Sequence, residues 1–446
     1  MGIRDFVILL LGYGCVPLAA CSAYYGLLAY CWLSFMRPQS LVWSQDVQSA
    51  RITLVVAVVL LLRAAVTAGA KVRFAWSTIV FVGLWAWLAV STFSSSHSDL
   101  SYPDLIQFSK AAVAMVLITG LVRSRMHLKW LFVLLAACPG VWALKLGLFF
   151  VTSGGGTSNQ GGPAGMDNND TALFLAMAVP LLVFGANEIR QRWGRRIMYA
   201  MALLAGPAVF VTASRGGLLA LAMAVFMTVW RKSQWWKAAM LLTVLGGIGW
   251  AIVPDKAMNR YETIGAYQKD SSAMGRINAW KTAVAMANDR PLTGVGIGTN
   301  TFMAEYNRYK ALPEDRPHVA HSVWFSMLGE AGYVGLGLLV TLIGTVLVST
   351  QRIMGMARST VGNSMSWAWN YAAGLQGAIL TYIVGGSFLS QNRFEFIYAI
   401  LMLSVPLAFL ANTSRESTHS VLQAKPTSAQ AACPEDRPSS ARPANC

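Results

Sequence analysis

The chain alternates between long apolar segments and short polar ones along most of its 446 residues. An apolar segment of about 20 residues is long enough to cross the hydrocarbon core of a bilayer as a helix. The pattern therefore predicts an all-α, polytopic integral membrane protein with about 12 transmembrane helices. The predicted spans are 5–36, 50–66, 76–94, 104–122, 129–151, 170–187, 196–213, 216–231, 236–253, 321–350, 366–388 and 394–412.

The first apolar segment, residues 5–36, is long for a single crossing. Gly12, Gly14 and Pro17 favour a kink or a break inside it, and two short helices are the alternative. Arg4 precedes the segment, but its apolar core is too long for a signal peptide. We therefore expect a retained first helix.

One long polar stretch, from Val253 to Leu328, interrupts the pattern. A membrane protein that exports a single long polar loop usually carries chemistry there. The composition also shifts after Leu410 to a polar tail that cannot bury enough apolar surface to fold. The predicted parts are transmembrane helices 1–9 (residues 1–253), a periplasmic loop with short helices (254–320), transmembrane helices 10–12 (321–412) and a disordered cytoplasmic tail (413–446).

Charged residues make up only 12% of the chain, about half of the share in soluble domains. The net charge of +16 sits mostly in short loops, where Lys and Arg report orientation rather than binding of nucleic acid. Basic loops alternate with neutral or acidic ones such as 94–104 and 152–170. This alternation predicts both termini in the cytoplasm and the neutral or acidic loops, with the long loop, outside.

Arg215 is the first candidate for chemistry, in the short turn T-A-S-R-G-G between two apolar segments. An arginine at membrane depth is costly and is a functional candidate by default. The alternative is an interfacial arginine that extends toward lipid headgroups. Gly216 and Gly217 allow close backbone approach beside it.

Arg276 lies within the long loop, after the serine pair Ser271–Ser272 that can cap a helix. Apolar residues then recur at helical spacing, namely Ile277, Trp280, Val284 and Ala287. This spacing predicts an amphipathic helix on the outer interface, which Pro291 ends.

Gly294, Gly296 and Gly298 follow that helix. They do not form a dinucleotide-binding fingerprint, because a helix rather than a strand precedes them. Their backbone N–H groups could help to hold an anionic substrate. A tight turn back toward the membrane is the alternative.

His321 opens the next predicted span, beside the long loop, and its titration range suits proton transfer. A histidine at the start of a helix is more often structural, and His318 is a weaker competitor. Glu330, nine residues further on in an apolar segment, is expected to face the interior, either supporting substrate binding or packing helices.

Further polar residues lie on the predicted outer face. Asp167, Asn168 and Asn169 can bind sugar hydroxyls, although capping of the next helix also explains them. Arg393, in the last outer turn, is a candidate for substrate binding. Lys110 and Lys145 are intramembrane cations that can pair with acids or help to hold an anionic headgroup.

Several familiar motifs are missing from the sequence. It contains no P-loop, no H-E-x-x-H, no D-x-D, no G-x-S-x-G and no metal-binding cluster of Cys and His. We therefore expect no nucleotide, metal or other cofactor. Arginines that hold an anion and a histidine that moves a proton suit transfer from a lipid-linked pyrophosphate to a hydroxyl group.

The motifs resemble those of the O-antigen ligase and O-antigen polymerase superfamily. They are S-R-G-G, then G-R-x-x-x-W and P-L-T-G-V-G-x-G in the long loop, and H-S-x-W-x-x-x-L-G-E-x-G. The opening segment and G-P-A-G-M-D-N-N-D are similar to the branch of O-glycosylation ligases associated with exosortase A systems. The resemblance covers roughly residues 1–412, although many ligases carry H-N where this chain has His321-Ser322.

The resemblance implies a metal-independent, inverting glycosyltransferase of the helical C type in the inner membrane. Its donor would be an undecaprenyl-pyrophosphate-linked glycan, and its acceptor a glycan, a lipid or a protein. By position, Arg215 and Arg276 match the family's essential arginines, and His321 matches the histidine proposed as base. A polymerase of the same superfamily remains open, as do a transporter or flippase of a lipid-linked glycan and a structural assembly protein.

Overall fold

The fold is known from a computed structural model that describes residues 2–42, 44, 46–47, 50–67, 71–156, 162–163, 165–231, 271–310, 312–360, 364–389 and 391–423. Over these residues it is all-helical, with no strand. The α-helices are α1 (Ile3–Cys21), α2 (Ala23–Met36), α3 (Ile52–Val66), α4 (Trp76–Phe93), α5 (Ser98–Leu121), α6 (Arg125–Thr152), α7 (Asn168–Ala186), α8 (Arg192–Val211), α9 (Arg215–Trp230), α10 (Ser271–Asp289), α11 (Thr299–Tyr309), α12 (Val323–Ser359), α13 (Ser366–Gly386) and α14 (Glu395–Gln423). A 3-10 helix, Pro38–Leu41, follows α2.

Eight of the described helices are long and apolar enough to cross a membrane. These are α1, α4, α5, α6, α7, α8, α12 and α14, while α3 and α9 are apolar but shorter. The protein is therefore a multi-pass helical membrane protein. The predicted count of about 12 spans is not confirmed, and the predicted span 236–253 lies outside the described residues.

Helix α7 forms the centre of the bundle. All its residues from Thr171 to Leu182 are buried, and it packs against α6, α8, α9 and α13. Small residues permit this crowding: a Cβ added to Gly217 would lie only 2.3 Å from the Cβ of Ala172. The start of α7 therefore has a fixed position at the middle of one end of the bundle.

The first apolar segment is a helical hairpin rather than one crossing. Ser22 breaks it with an extended backbone, and α1 packs back on α2, so that a Cβ on Gly26 would lie 3.1 Å from Ala19. At the turn, the Tyr24 hydroxyl donates to the His127 carbonyl at 2.7 Å. The start of α1 instead lies toward Pro38–Leu41 and the first residue of α3.

The hairpin bears on the predicted placement of the termini. The last described turns of α14 lie at the same end as the hairpin turn, because Arg125 donates to the Ser414 hydroxyl at 2.7 Å. The start of α1 is at the opposite end. The side of the membrane that each terminus faces stays a prediction.

The two ends of the bundle differ in charge. Arg73, Arg123, Arg125 and Arg231 lie at the end of the hairpin turn, which we call the basic end. The opposite end, called the site end, collects the connections α4–α5, α6–α7, α8–α9 and α13–α14 together with α10 and α11. Most candidate residues of the sequence fall at the site end.

The long loop is docked on the bundle through a joint formed by Gly294–Gly298 and Gly329–Gly332. Gly332, with φ of +69°, interrupts α12 and leaves carbonyl groups available. The Val295 N–H donates to the Gly329 carbonyl and the Gly296 N–H to the Glu330 carbonyl, each at 3.0 Å. Two of the sequence motifs, P-L-T-G-V-G-x-G and L-G-E-x-G, thus form one structural connection.

The end of the described chain also differs from its predicted boundary. Helix α14 continues to Gln423, so the first residues of the predicted tail are helical. Residues 424–446 lie outside the described residues.

Candidate active site

His321 lies two residues before α12, in a left-handed backbone conformation with φ of +46°. This conformation is uncommon outside glycine, costs of order 1–3 kcal/mol and often marks functional sites. Burial lowers the pKa of His321 and the Arg276 guanidinium lowers it further, whereas the Asp167 carboxylate raises it. The imidazole is therefore held neutral at neutral pH, with a cation and a carboxylate beside it.

Arg276 reaches His321 because Trp280 fixes α10 against the start of α12. Four residues separate Arg276 and Trp280, so both lie on one face of the helix. The Trp280 indole donates to the Ala320 carbonyl at 2.7 Å and stacks on Phe325, with the ring centroids 5.0 Å apart. The G-R-x-x-x-W motif is therefore an anchor with an arginine one turn before it.

The predicted helix beginning at Ser271 is confirmed, but its buried face differs from the prediction. The helix packs against α12 and α11, and its fully buried apolar residues are small or flexible: Ala279, Ala283, Met286 and Ala287. Gly329 permits this contact, because a Cβ there would lie 3.3 Å from the Cα of Ala283. One face of helix α10 therefore packs against α12 and α11, while Lys281 and Asn288 on it are exposed. Its position at the membrane interface stays a prediction.

Asp167 is the N-cap of the central helix α7, and its carboxylate accepts the Asp170 N–H at 2.7 Å. The same carboxylate interacts with His321, so capping and a role at the site are compatible. Asn169, on the first turn, accepts the Ser214 hydroxyl at 2.7 Å. This bond ties the start of α7 to the turn that carries Arg215.

Arg215 is the first residue of α9 and is exposed. The turn before it contains Ala213 with φ of +49°, and the Ser214 hydroxyl accepts the Gly217 N–H at 3.0 Å. A Cβ on Gly216 would lie 3.2 Å from Phe388, whose neighbour Ser387 accepts the Trp324 indole N–H at 2.9 Å. The turn of Arg215 therefore adjoins both the start of α7 and the start of α12.

These contacts define a rim formed by Asp167, Arg215, Arg276 and His321. The charges of Arg276 and Asp167 act on His321, and the turn of Arg215 is linked to the start of α7 through the Asn169–Ser214 bond. Two guanidinium groups can hold a phosphate anion, and a neutral imidazole can accept a proton. Asn168 lies half-buried next to Asp167.

The three glycines of the loop lie in the joint and not in the rim. Gly294, Gly296 and Gly298 have φ of +64°, +112° and +111°. Their N–H groups donate to the Arg290 carbonyl, the Glu330 carbonyl and the Glu330 carboxylate. The geometry thus favours the turn over the anion-holding alternative, because the protein already uses these donors.

Glu330 and Arg393 form a buried ion pair, and Arg393 also contacts the Asp104 carboxylate at 3.4 Å. The Glu330 carboxylate further accepts the Gly298 N–H at 3.0 Å and the Asn392 amide at 3.1 Å. This network joins α5, α12, the glycine turn and the α13–α14 turn. Asp104 and Asn392 were not singled out from the sequence, because nothing local marks a partner so far away in the chain.

Arg37 is a further residue that sequence reasoning missed. It ends α2 with φ of +48°, and a Cβ on Gly165 would lie 3.0 Å from its guanidinium. An arginine that ends an apolar run and is followed by Pro38 was the available signal. Within the described ranges, no three Cys, His, Asp or Glu side chains are grouped so that they could hold a metal ion.

Comparison with protein families gives two matches. Residues 200–340, which contain Arg215, Arg276, His321 and Glu330, match the family described as O-Antigen ligase. This match supports placing the chain in the O-antigen ligase superfamily. It also supports a membrane enzyme of the O-antigen ligase or polymerase type, a family that implies lipid-linked glycans and acceptors as partners.

The other match covers the first part of the chain. Residues 3–187, which contain Arg37 and Asp167, match a family of unknown function (DUF5935). The search of curated proteins gives no match. The narrower resemblance to the branch associated with exosortase A stays a prediction.

Proposed function

We propose that the protein transfers a glycan from an undecaprenyl-pyrophosphate-linked donor to an acceptor hydroxyl, at a site facing the periplasm of a bacterial inner membrane. The observation that carries the proposal is the rim, where a neutral histidine lies beside Arg276 and Asp167. The basic and site ends of the bundle support this orientation, because Lys and Arg are enriched on the cytoplasmic side of membrane proteins.

In this reaction His321 acts as the general base. It takes the proton of the acceptor hydroxyl while that oxygen attacks the anomeric carbon of the donor sugar. The bond from this carbon to the pyrophosphate oxygen breaks, and the electron pair leaves with the lipid pyrophosphate. A single displacement inverts the anomeric centre. Burial and Arg276 support this role, because both lower the pKa of His321 and so favour the unprotonated form before the step.

Arg276 and Arg215 hold the pyrophosphate and stabilise the charge that develops on it. Guanidinium groups match phosphate oxygens with two parallel hydrogen bonds, and such charge stabilisation is often the largest part of catalysis. Asp167 favours the imidazolium that forms during the step, since its carboxylate stabilises the charged imidazole. Asn168 and Asn169 are placed beside it to bind sugar hydroxyls.

The test is a transfer assay with purified protein, an undecaprenyl-pyrophosphate glycan and candidate acceptors. We expect His321→Ala to lower the rate by roughly 10²–10⁴-fold, and Arg215→Gln or Arg276→Gln by roughly 10²-fold. Matched controls are His318→Ala and Arg308→Gln, exposed residues of the same loop, which should change the rate far less.

Each other outcome has a defined meaning. Unchanged turnover in His321→Ala and both arginine variants, with folding intact, would reject the proposal. Repeated addition to the donor glycan itself would identify a polymerase. Movement of the donor lipid across sealed vesicles that survives His321→Ala would support the transport alternative.

A further inference from the structure

A second polar site lies beside the rim, within the membrane-spanning bundle. A cavity of about 550 Å³ opens between α2, α3 and α5, and its lining includes the basic side chains of Arg37, Arg51 and Lys110. Among the described residues that line it, one carboxylate, that of Glu395, lies beside them. The volume falls within the usual range of ligand pockets, about 300–1,000 Å³.

One cation of this cavity, Lys110, is placed where charge is costly. Lys110 is in the middle of α5, a helix that is long and apolar enough to span the membrane. Neither Lys110 nor Arg51 makes a hydrogen bond or an ion pair with another described residue. Cations at such depth commonly mark a ligand path, because an anion that joins them offsets their desolvation.

The flank of the cavity is suited to a lipid. Leu33, Leu54 and Ala57 line its apolar wall. Further along α3, Val58 and Leu62 are 48% and 65% exposed, and in a membrane protein such a face contacts acyl chains. Helix α2 packs against both α3 and α5 and closes the back of the cavity. A ligand with an anionic head and an apolar chain fits this combination.

The cavity also continues toward the rim. A second cavity of about 230 Å³ shares Ser34, Arg37, Gln107 and Glu395 with the first and reaches Gly165 and Met166. Met166 precedes Asp167, whose carboxylate interacts with His321. The left-handed backbone at Arg37 directs its guanidinium between the two cavities, beside Gly165.

We propose that the cavity between α2, α3 and α5 binds the headgroup of a lipid monophosphate or diphosphate that enters sideways from the membrane. Three basic side chains against one carboxylate favour a headgroup with two or more negative charges over a singly charged phosphodiester. The site is separate from the rim and holds the lipid phosphate next to it. Its link to glycan transfer rests on the proposed function, but the binding of the lipid does not.

The experiment measures lipid binding by purified full-length protein in nanodiscs, without any acceptor. The probes are undecaprenyl pyrophosphate, undecaprenyl phosphate, phosphatidylglycerol and inorganic pyrophosphate. We expect the double variant Arg51→Gln/Lys110→Gln to bind both undecaprenyl lipids at least about tenfold more weakly, because two charge-assisted contacts are lost. The matched control Arg190→Gln/Arg192→Gln removes two exposed charges at the basic end and should bind like wild type.

A second variant tests the same cavity without changing its charge. Leu54→Trp fills the apolar wall and should also weaken binding of the undecaprenyl lipids. Equal affinity of wild type and both variants would overturn the proposal, and so would equal binding of phosphatidylglycerol. If inorganic pyrophosphate competes as well as the lipids do, the site takes a soluble anion and the lipid assignment is wrong.

The two proposals can fail separately. If binding is lost in the cavity variants but His321→Ala leaves transfer unchanged, only the proposed catalytic role fails. If transfer depends on His321 while lipid binding ignores Arg51 and Lys110, only the cavity proposal fails.

Discussion

The rim and the joint lie on either side of the start of α12, and both carry residues of the same sequence motifs. In the joint, backbone N–H groups and the Glu330 carboxylate are satisfied within the protein, and the glycines are buried. In the rim, Arg215 is exposed and His321 and Arg276 are half-buried. The joint therefore stabilises the fold, whereas the side chains of the rim are accessible to a ligand.

The difference shows that residues of one sequence motif can belong to two structural regions with different roles. In H-S-x-W-x-x-x-L-G-E-x-G, the histidine belongs to the rim, while Gly329, Glu330 and Gly332 belong to the joint. The same division separates Arg276 from the glycine turn that follows it. Changes in the joint should therefore act on stability, and changes in the rim on chemistry.

The largest effect on stability is expected from Glu330→Ala. This change leaves the Arg393 charge buried without its main partner and removes the acceptor of the Gly298 N–H. Breaking a buried ion pair on one side costs about 3–5 kcal/mol, which unfolding in detergent micelles measures. The exposed Glu314→Ala serves as control. A loss below about 1 kcal/mol would contradict the role of the joint.

A smaller loss of stability is expected from Gly294→Ala. With φ of +64°, its new Cβ would lie 2.5 Å from the Gly329 carbonyl oxygen. Strain of this kind costs about 1–3 kcal/mol. Gly337→Ala, in helix α12, meets no atom within 4 Å and should be neutral or slightly stabilising. Equal unfolding midpoints for the two variants would contradict the prediction that the joint is more sensitive to a new Cβ than the open surface of α12.

The smallest effect belongs to the rim and concerns pH. Transfer needs neutral His321, so the rate should fall as the pH drops through the pKa of His321, which lies below its ordinary value. Arg276→Gln removes a cause that lowers this pKa and should move the acidic limb of kcat/KM to higher pH. Asp167→Asn removes a cause that raises it and should move the limb to lower pH. Shifts in the same direction would refute the electrostatic assignment.

Much of the helical pattern could be predicted from the sequence, because a long apolar segment by itself indicates a helix that is buried or in contact with lipid. The turn between α1 and α2 could not be located from the sequence in the same way. Both of its helices are apolar, and Ser22 alone marks the turn. Gly12, Gly14 and Pro17 pointed to a break, but the break lies a turn beyond them.

The sequence singled out Arg276 and His321, and Arg276 is one of the charges that lower the pKa of His321. The catalytic roles of both residues stay a prediction. The joint was missed because backbone pairing between Val295 and Gly329 depends on where a helix is interrupted. The contact of Arg393 with Asp104 was missed because residues so far apart in the chain leave no shared local pattern.

The hairpin of α1 and α2 has a consequence for chemical labelling. Its turn carries Cys21, which is exposed, whereas Cys15, Cys31 and Cys138 are buried. After Cys433→Ser and Cys446→Ser, a thiol reagent that cannot cross a membrane should modify mainly Cys21. Because the turn lies level with His127, labelling from one face of sealed vesicles would show which compartment the basic end meets.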